Sequence, residues 1–352
     1  MTGADGFRML HPTRVEFGAS LTVGDLRQLA QRPELQTLQC SAAVPDPLWS
    51  LVDAEFFSVR PDVQLRVYGM DYGPCDLSFL RLLPRVRHFA ADCLRHATGI
   101  EHLAALPKLE SLSLGIFDLT DFAILEQMPT QLVALCLGPT RSKRPTLAPL
   151  RRFPGLRRLY LEGQSRDLAV LGESTGIEEL TLRSISMLDL QFLAAMRRLA
   201  SLEIKLGGLR SFAGLEGKAS LRYLELWQVR GVRHVDFVGD LPGLQNLFLQ
   251  SLPHVAAFPS LVEARSLRRI VVENLKGLRD LTTLQQAPAL EEFALRDGRN
   301  QLPELLLPVL RNPGVRRVGV GFGKEGLDRE FERLRQQHGK AEFVGGRAFD
   351  YR

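Results

Sequence analysis

The sequence predicts an α/β solenoid, with a curved parallel β-sheet on its concave face and short helices or 3-10 turns on its convex face. Three observations carry this expectation. A six-residue apolar pattern recurs along the chain at a nearly constant interval. A small polar residue ahead of a short apolar run recurs at the same interval. Proline falls two residues before about half of the copies of the first pattern, weaker ones included.

The first pattern is apolar-x-x-apolar-x-apolar. It reads LESLSL at 109–114, LVALCL at 132–137, LRRLYL at 156–161, IEELTL at 177–182 and LASLEI at 199–204. It continues as LRYLEL at 221–226, LQNLFL at 244–249, LRRIVV at 267–272 and LEEFAL at 290–295. Successive starts are 23, 24, 21, 22, 22, 23, 23 and 23 residues apart. The last three residues read apolar-x-apolar, a period of two that fits a strand with one face buried. Weaker copies, at Val15, Leu35, Val63, Val86, Val315 and Ala341, extend the array towards both ends. A fixed period of this length means one structural unit written repeatedly, because a single unit cannot bury its own apolar face. The expected organisation is one solenoid over residues 1–340, with about fourteen units. Its N-terminal units, 1–85, are irregular, and residues 315–352 form a C-terminal capping unit.

The second half of each unit predicts a short helix. Asp25, Asp76, Asp121, Asp189, Ser211 and Asp280 each precede Leu or Phe, with a further Leu three residues on. An Asp or Ser there accepts a hydrogen bond from the free N–H groups of a helix start. Pro33, Pro84, Pro107, Pro154, Pro242, Pro288 and Pro313 then stop the helix and favour extended backbone before the next strand.

Composition bounds the rest. Lys and Arg number 45 against 40 Asp and Glu, a net charge of +5, so the surface is of mixed charge with a basic bias and carries no polybasic tail. The segment 1–10 has no charged region followed by an apolar one, and Cys40, Cys75, Cys93 and Cys136 show no paired spacing. A cytoplasmic protein is expected. The most apolar stretch, 302–310, is short and holds Glu304 and two prolines, so no membrane span is expected.

The period and the L-x-x-L-x-L core resemble the leucine-rich repeat superfamily, over about nine-tenths of the chain. The resemblance implies buried leucines and a binding face made of the residues between them. One feature departs from the family pattern. Eight residues after the first leucine, where the family carries Asn or Cys to tie loops together, stand Phe117, Thr140, Gln164, Ile185, Gly207, Val229, Leu252 and Leu275. A partly aliphatic spine takes the place of an asparagine ladder.

On that resemblance the third, fifth and seventh residues of each pattern face outward from the sheet. The middle and late repeats place Arg158, Tyr160, Arg183, Glu203, Lys205, Tyr223, Glu225, Trp227 and Phe248 there. Aromatics rimmed by charges of both signs have the composition of a protein-binding hot spot. Cross-strand packing alone also favours aromatics at such positions. The earlier repeats offer only Ser111, Ser113, Gly115, Ala134, Cys136 and Gly138.

Signals for chemistry are sparse. GFGKEG at 321–326 has the glycine spacing of a dinucleotide loop, but it follows the last strand of a repeat array, so Gly319 and Gly321 are expected to serve the turn into the cap. His88, Asp92, Cys93 and His96 match no metal-ligand spacing, and Cys93 is expected to point into the core. No cofactor, metal or catalytic set is expected. Glutamates interrupt the arginines on the concave columns, which argues against nucleic acid. The expected function is non-enzymatic recognition of a protein, with an acidic protein or a toxin among the partner classes. A bacterial immunity protein, an adaptor or effector acting on a host protein, and an enzyme with dispersed catalytic residues are the alternatives.

Overall fold

Every segment the apolar pattern marks is a strand. The coordinates come from a computed structural model and describe residues 6–69, 74–142 and 144–343. Lys143 and, in the expected capping unit, the residues from Val344 through Arg352 lie outside the described residues. The chain divides into two compact units, Met1–Ser174 and Thr175–Arg352.

In the first unit the sheet runs in sequence order: Phe7–His11, Arg14–Phe17, Thr37–Cys40, Gln64–Tyr68, His88–Leu94, Ser111–Ile116, Ala134–Leu137 and Arg158–Glu162. All pairings are parallel except the first, where Phe7 lies opposite Phe17 in an antiparallel hairpin. Sequence reading missed the strand Phe7–His11; its alternation around the turn at Pro12 was the available signal. Between Thr37–Cys40 and Gln64–Tyr68 the chain forms a helix, Asp46–Val52, that continues as a wider turn over Asp53–Phe57. Trp49, Phe56 and Phe57 from it are buried.

In the second unit the order is Glu179–Arg183, Ser201–Lys205, Tyr223–Trp227, Asn246–Gln250, Arg269–Glu273, Glu292–Arg296, Arg317–Val320 and Ala341–Glu342, all parallel and in register. Leu180, Leu202, Leu224, Leu247, Ile270 and Phe293 therefore stack as one row, each at most 1% exposed. Burying each such side chain stabilises by about 1.5–3 kcal/mol. A helix, Glu325–Gln337, precedes the last strand.

Most of the short helices are 3-10 turns, and the small polar residues start them as expected. Asp76, Asp121, Asp189 and Asp280 accept from the backbone N–H two residues on, at 2.7–3.1 Å. Ser211 accepts from the Ala213 N–H at 3.1 Å, but turns and not a helix follow it. Asp25 differs: it is the fourth residue of a capping box whose first residue is Thr22.

Two further expectations are corrected. Cys93 is exposed, because its φ of 52° turns the chain at the end of the strand and reverses the inward alternation. Gly319 and Gly321 are not the turn residues, since the positive φ falls on Gly323. Gly319 stays in its strand, where a Cβ would stand 2.8 Å from the Cβ of Phe343.

The position after the strand repeats in its backbone. Gly69, Gly163, Ser184, Leu206, Gln228, Ser251, Asn274 and Asp297 all have positive φ there, and Cys93 has it one residue before its strand ends. From Leu206 to Asn274 each of them donates its N–H to the last strand residue of the next repeat, as Leu206 does to the Trp227 carbonyl at 2.8 Å and Gln228 to Gln250 at 2.9 Å. The left-handed turn thus adds one more rung to the parallel ladder before the chain leaves the sheet.

The spine that follows is aliphatic at Ile185, Val229, Leu252 and Leu275, each at most 3% exposed. Gln164 is the exception. It is fully buried, its Nε2 donates to the Gly138 carbonyl at 2.8 Å, and its Oε1 accepts from the Glu162 N–H at 3.1 Å. A carboxamide one methylene longer than asparagine makes the tie at that repeat.

Candidate interaction face

The register of the second unit builds three columns on the sheet face opposite the leucines. The third column runs Glu179, Ser201, Tyr223, Asn246, Arg269, Glu292, Arg317. The fifth runs Thr181, Glu203, Glu225, Phe248, Val271, Ala294, Gly319. The seventh runs Arg183, Lys205, Trp227, Gln250, Glu273, Arg296. Neighbours within a column stand about 4.8 Å apart, close enough to interact along every row.

Seven of the nine sequence-predicted residues come together here: Arg183, Glu203, Lys205, Tyr223, Glu225, Trp227 and Phe248. Lys205 Nζ sits between carboxylates, 2.7 Å from Glu203 Oε2 and 3.1 Å from Glu225 Oε1. Tyr223 donates its hydroxyl to the other Glu225 oxygen at 2.8 Å. Burial pulls the Lys205 ammonium down, but hydrogen bonds and charge from Glu203 and Glu225 outweigh it, so its pKa stands above 10.5. The Arg183 guanidinium lies over the Trp227 ring at 5.4 Å. Phe248, between Glu225 and Val271, is half-buried, as are Tyr223 and Trp227.

Other charges of this face are matched locally as well. Arg269 holds Glu292 Oε2 at 2.6 Å, Arg317 holds Glu292 Oε1 at 2.8 Å, and Gln250 donates to Glu273 at 2.8 Å. Glu225 and Glu292 are both under one-tenth exposed. The face therefore presents aromatic surface set in ion pairs that already compensate each other.

The remaining two predicted residues, Arg158 and Tyr160, lie on the corresponding face of the first unit. Arg158 is exposed, and Tyr160 donates to Glu162 Oε2 at 2.7 Å. The same unit holds a polar network that sequence reading missed. Arg66 grips Asp92 with two nitrogens at 2.7–2.9 Å, donates to Gln39 Oε1 at 2.9 Å and lies 4.2 Å over the Tyr68 ring. Glu16 accepts from Gln39, Ser41 and Tyr68, each at 2.8 Å. Burial and that Glu16 contact push the Tyr68 phenol up. Glu16, Gln39 and Arg66 share one column by register; the rule reaches Gln39 from Leu35 but not the other two, because the weak copies at Val15 and Val63 do not keep the full pattern.

Among the described residues, no His, Cys, Asp or Glu side chains group as three or more about a possible metal ion. Among them too, no helix is long and apolar enough to cross a membrane.

No family model matches the chain, and no curated protein sequence matches it. Solved structures do. An internalin of Listeria monocytogenes superposes with a TM-score of 0.59 at 19% identity, covering 89% of this chain and 87% of its own. A leucine-rich repeat protein of Leptospira interrogans superposes with a TM-score of 0.50 at 14% identity, covering 90% of this chain and 91% of its own. Identities this low speak to architecture alone, and together with the register of the sheet they establish that the chain has the leucine-rich repeat fold.

Proposed function

We propose that the chain is a non-enzymatic recognition module that docks a protein on the open sheet face of its second unit. Tyr223, Trp227 and Phe248 are the anchors; Arg183, Glu203, Lys205 and Glu225 frame them. The observation that supports this most is the combination of three half-exposed aromatics with ion pairs that neutralise one another. Burying aromatic surface is the main source of affinity at protein interfaces, while rim charges mainly direct encounter. Because Lys205 and Arg269 already hold carboxylates of their own chain, the partner need not be acidic. Arg158 and Tyr160 are proposed as contact residues of the first unit.

The test is affinity capture with the wild-type chain and with the Tyr223→Ala/Trp227→Ala variant, read by quantitative mass spectrometry. A partner enriched by the wild type and depleted tenfold or more by the variant supports the docking face. Equal capture by both overturns it. The identity of a depleted partner separates the finer roles, a toxin indicating an immunity protein and a host protein an adaptor or effector.

A further inference from the structure

The columns of the open face carry five glutamates and five arginines or lysines in the second unit, so their charges cancel. The loops that leave the ends of the same strands do not cancel. Residues 206–211, 228–236, 251–259 and 274–280 hold Arg210, Arg230, Arg233, Lys276 and Arg279 against Asp236 and Asp280. All five basic residues are exposed. Arg279 donates to two carbonyls, and among the described residues none of the five stands in an ion pair. Asp280 is turned to the Thr282 N–H at 2.7 Å. A surplus of three positive charges, out of five for the whole chain, thus lies along one edge of the unit.

That edge also holds a cleft of about 450 Å³, with Val229, Val232 and Pro253 as apolar lining and Arg230 and His254 beside them. Leu206 and Gln228 complete its wall. Leu206 donates to the Trp227 carbonyl at 2.8 Å, and Gln228 follows Trp227 in the chain. The cleft therefore begins where the seventh column ends, and a body docked on Trp227 overhangs it. Arg230 and Lys276 hold the same place in repeats two apart, which sets them about 10 Å apart at the strand spacing.

We propose that this edge binds an acidic segment of the partner docked on the open face, the cleft seating the segment while Arg230 and Lys276 pair its Asp or Glu side chains. Four of the five cations are arginines, whose fork meets both oxygens of a carboxylate. A single-stranded nucleic acid would call for exposed rings among the cations, on which its bases stack. Phe258, the one Phe, Tyr or Trp in these loops, is buried. The surplus charge speeds encounter with an acidic surface, while the aromatic anchors of the neutral face hold the complex. This inference rests on the docking face proposed above and names a second contact of the same partner.

The probe is a fluorescein-labelled octaglutamate, titrated into the full chain at low salt, where exposed charges are least screened. The wild type should bind it, and Arg230→Gln/Lys276→Gln should bind it about tenfold more weakly. Arg197→Gln/Arg333→Gln removes two exposed charges on the helix side of the repeats and should bind it as the wild type does. No binding by the wild type overturns the proposal. Equal weakening in the two variants overturns it too, because net charge and not a site is then read. Tighter binding of octauridylate than of octaglutamate overturns it in favour of nucleic acid. Tyr223→Ala/Trp227→Ala should leave octaglutamate binding unchanged, and capture then separates the two readings. A partner lost from that variant but retained by Arg230→Gln/Lys276→Gln keeps the face and removes the edge. A partner lost from Arg230→Gln/Lys276→Gln but retained by Tyr223→Ala/Trp227→Ala keeps the edge and removes the docking face.

Discussion

The Arg183 guanidinium lies 5.4 Å from the centre of the Trp227 ring, although Lys205 stands between them in the seventh column. The way across is open because the Lys205 ammonium is drawn sideways to Glu203 and Glu225. A cation over an indole at a partly exposed site is worth about 0.5–1 kcal/mol. A double-mutant cycle of Arg183→Ala and Trp227→Ala, measured by urea unfolding, should give a coupling of about that size. The other tryptophan, Trp49, is buried and stacked on Phe79 at 4.1 Å, so the fluorescence change in Arg183→Ala reports on Trp227. A coupling of zero refutes the stack.

Two lysines should pull stability in opposite directions at high pH. The Lys205 pKa is raised above 10.5 in the fold, so its contribution is complete below 10.5 and is lost as pH climbs through the raised value. Burial lowers the Lys218 pKa below 10.5, so the folded chain sheds a proton that the unfolded chain keeps, and stability rises with pH in the window just below 10.5. Urea midpoints from pH 8 to 11 should therefore show the wild-type advantage over Lys205→Met level and then falling. The wild type should gain on Lys218→Met across the same range. At pH 7, Lys205→Met should cost about 1–3 kcal/mol by leaving Glu203 and Glu225 unpaired, less than a fully buried pair because 19% of the Lys205 side chain is exposed. Parallel curves for the two variants refute the assignment.

The left-handed turn after each strand sets a second pair of opposites. Gln228 is exposed with φ 49°, a conformation that costs an L-residue roughly 1–2 kcal/mol and glycine nothing. Allowing about 0.5–1 kcal/mol for the looser unfolded chain, Gln228→Gly should stabilise by up to about 1 kcal/mol. Gly207, only two residues beyond the strand before it, cannot change: a Cβ there would sit 1.9 Å from the Ile185 carbonyl oxygen. Gly207→Ala should cost about 2–4 kcal/mol, since two backbones must separate. Thermal melts of the two variants on either side of the wild type would bear this out, and equal melting temperatures would count against it.

The repeat made the columns legible, because strand alternation and a nearly constant period decide which side chains share a face before any contact is known. Trp227 and Phe248 could be placed that way. Lateral reach could not, since Arg183 finds Trp227 by crossing a strand, which depends on where Lys205 turns. Nor could the burial of Asn246, which follows from how Tyr223 and Arg269 stand beside it. Cys93 was misplaced because the sequence does not mark a left-handed residue unless it is glycine or asparagine. Gln164 hid a tie that asparagine would have announced.

The largest omission was on the helix side of the repeats, where side chains bind carbonyls at the end of the preceding short helix or in the turn that follows it. Arg60 donates to the Arg32 and Leu35 carbonyls at 2.6 and 2.8 Å, Lys218 to Leu193 at 2.6 Å, and Lys340 to Asn312 and Val315, both at 2.8 Å. Asn312 does the same for Leu284 and Ala287 at 2.7 and 2.9 Å, and its Oδ1 accepts from Gly314 N–H at 2.8 Å. The last carbonyls of a helix have no partner within it, and a cation or amide from the next repeat both pairs them and complements their partial negative charge. Asn312, 2% exposed, is the cleanest place to measure the tie. Asn312→Ala should cost about 1–3 kcal/mol, because the Ala287 carbonyl and the Gly314 N–H lose this partner, while the Leu284 carbonyl keeps only the Ala287 N–H at 3.3 Å. Asn312→Leu restores the volume but not the bonds, so it should be no more stable than the alanine variant. Recovery of wild-type stability by leucine would mean that the site contributes through packing alone, and the pairing of helix-end carbonyls between repeats would lose its best-buried case.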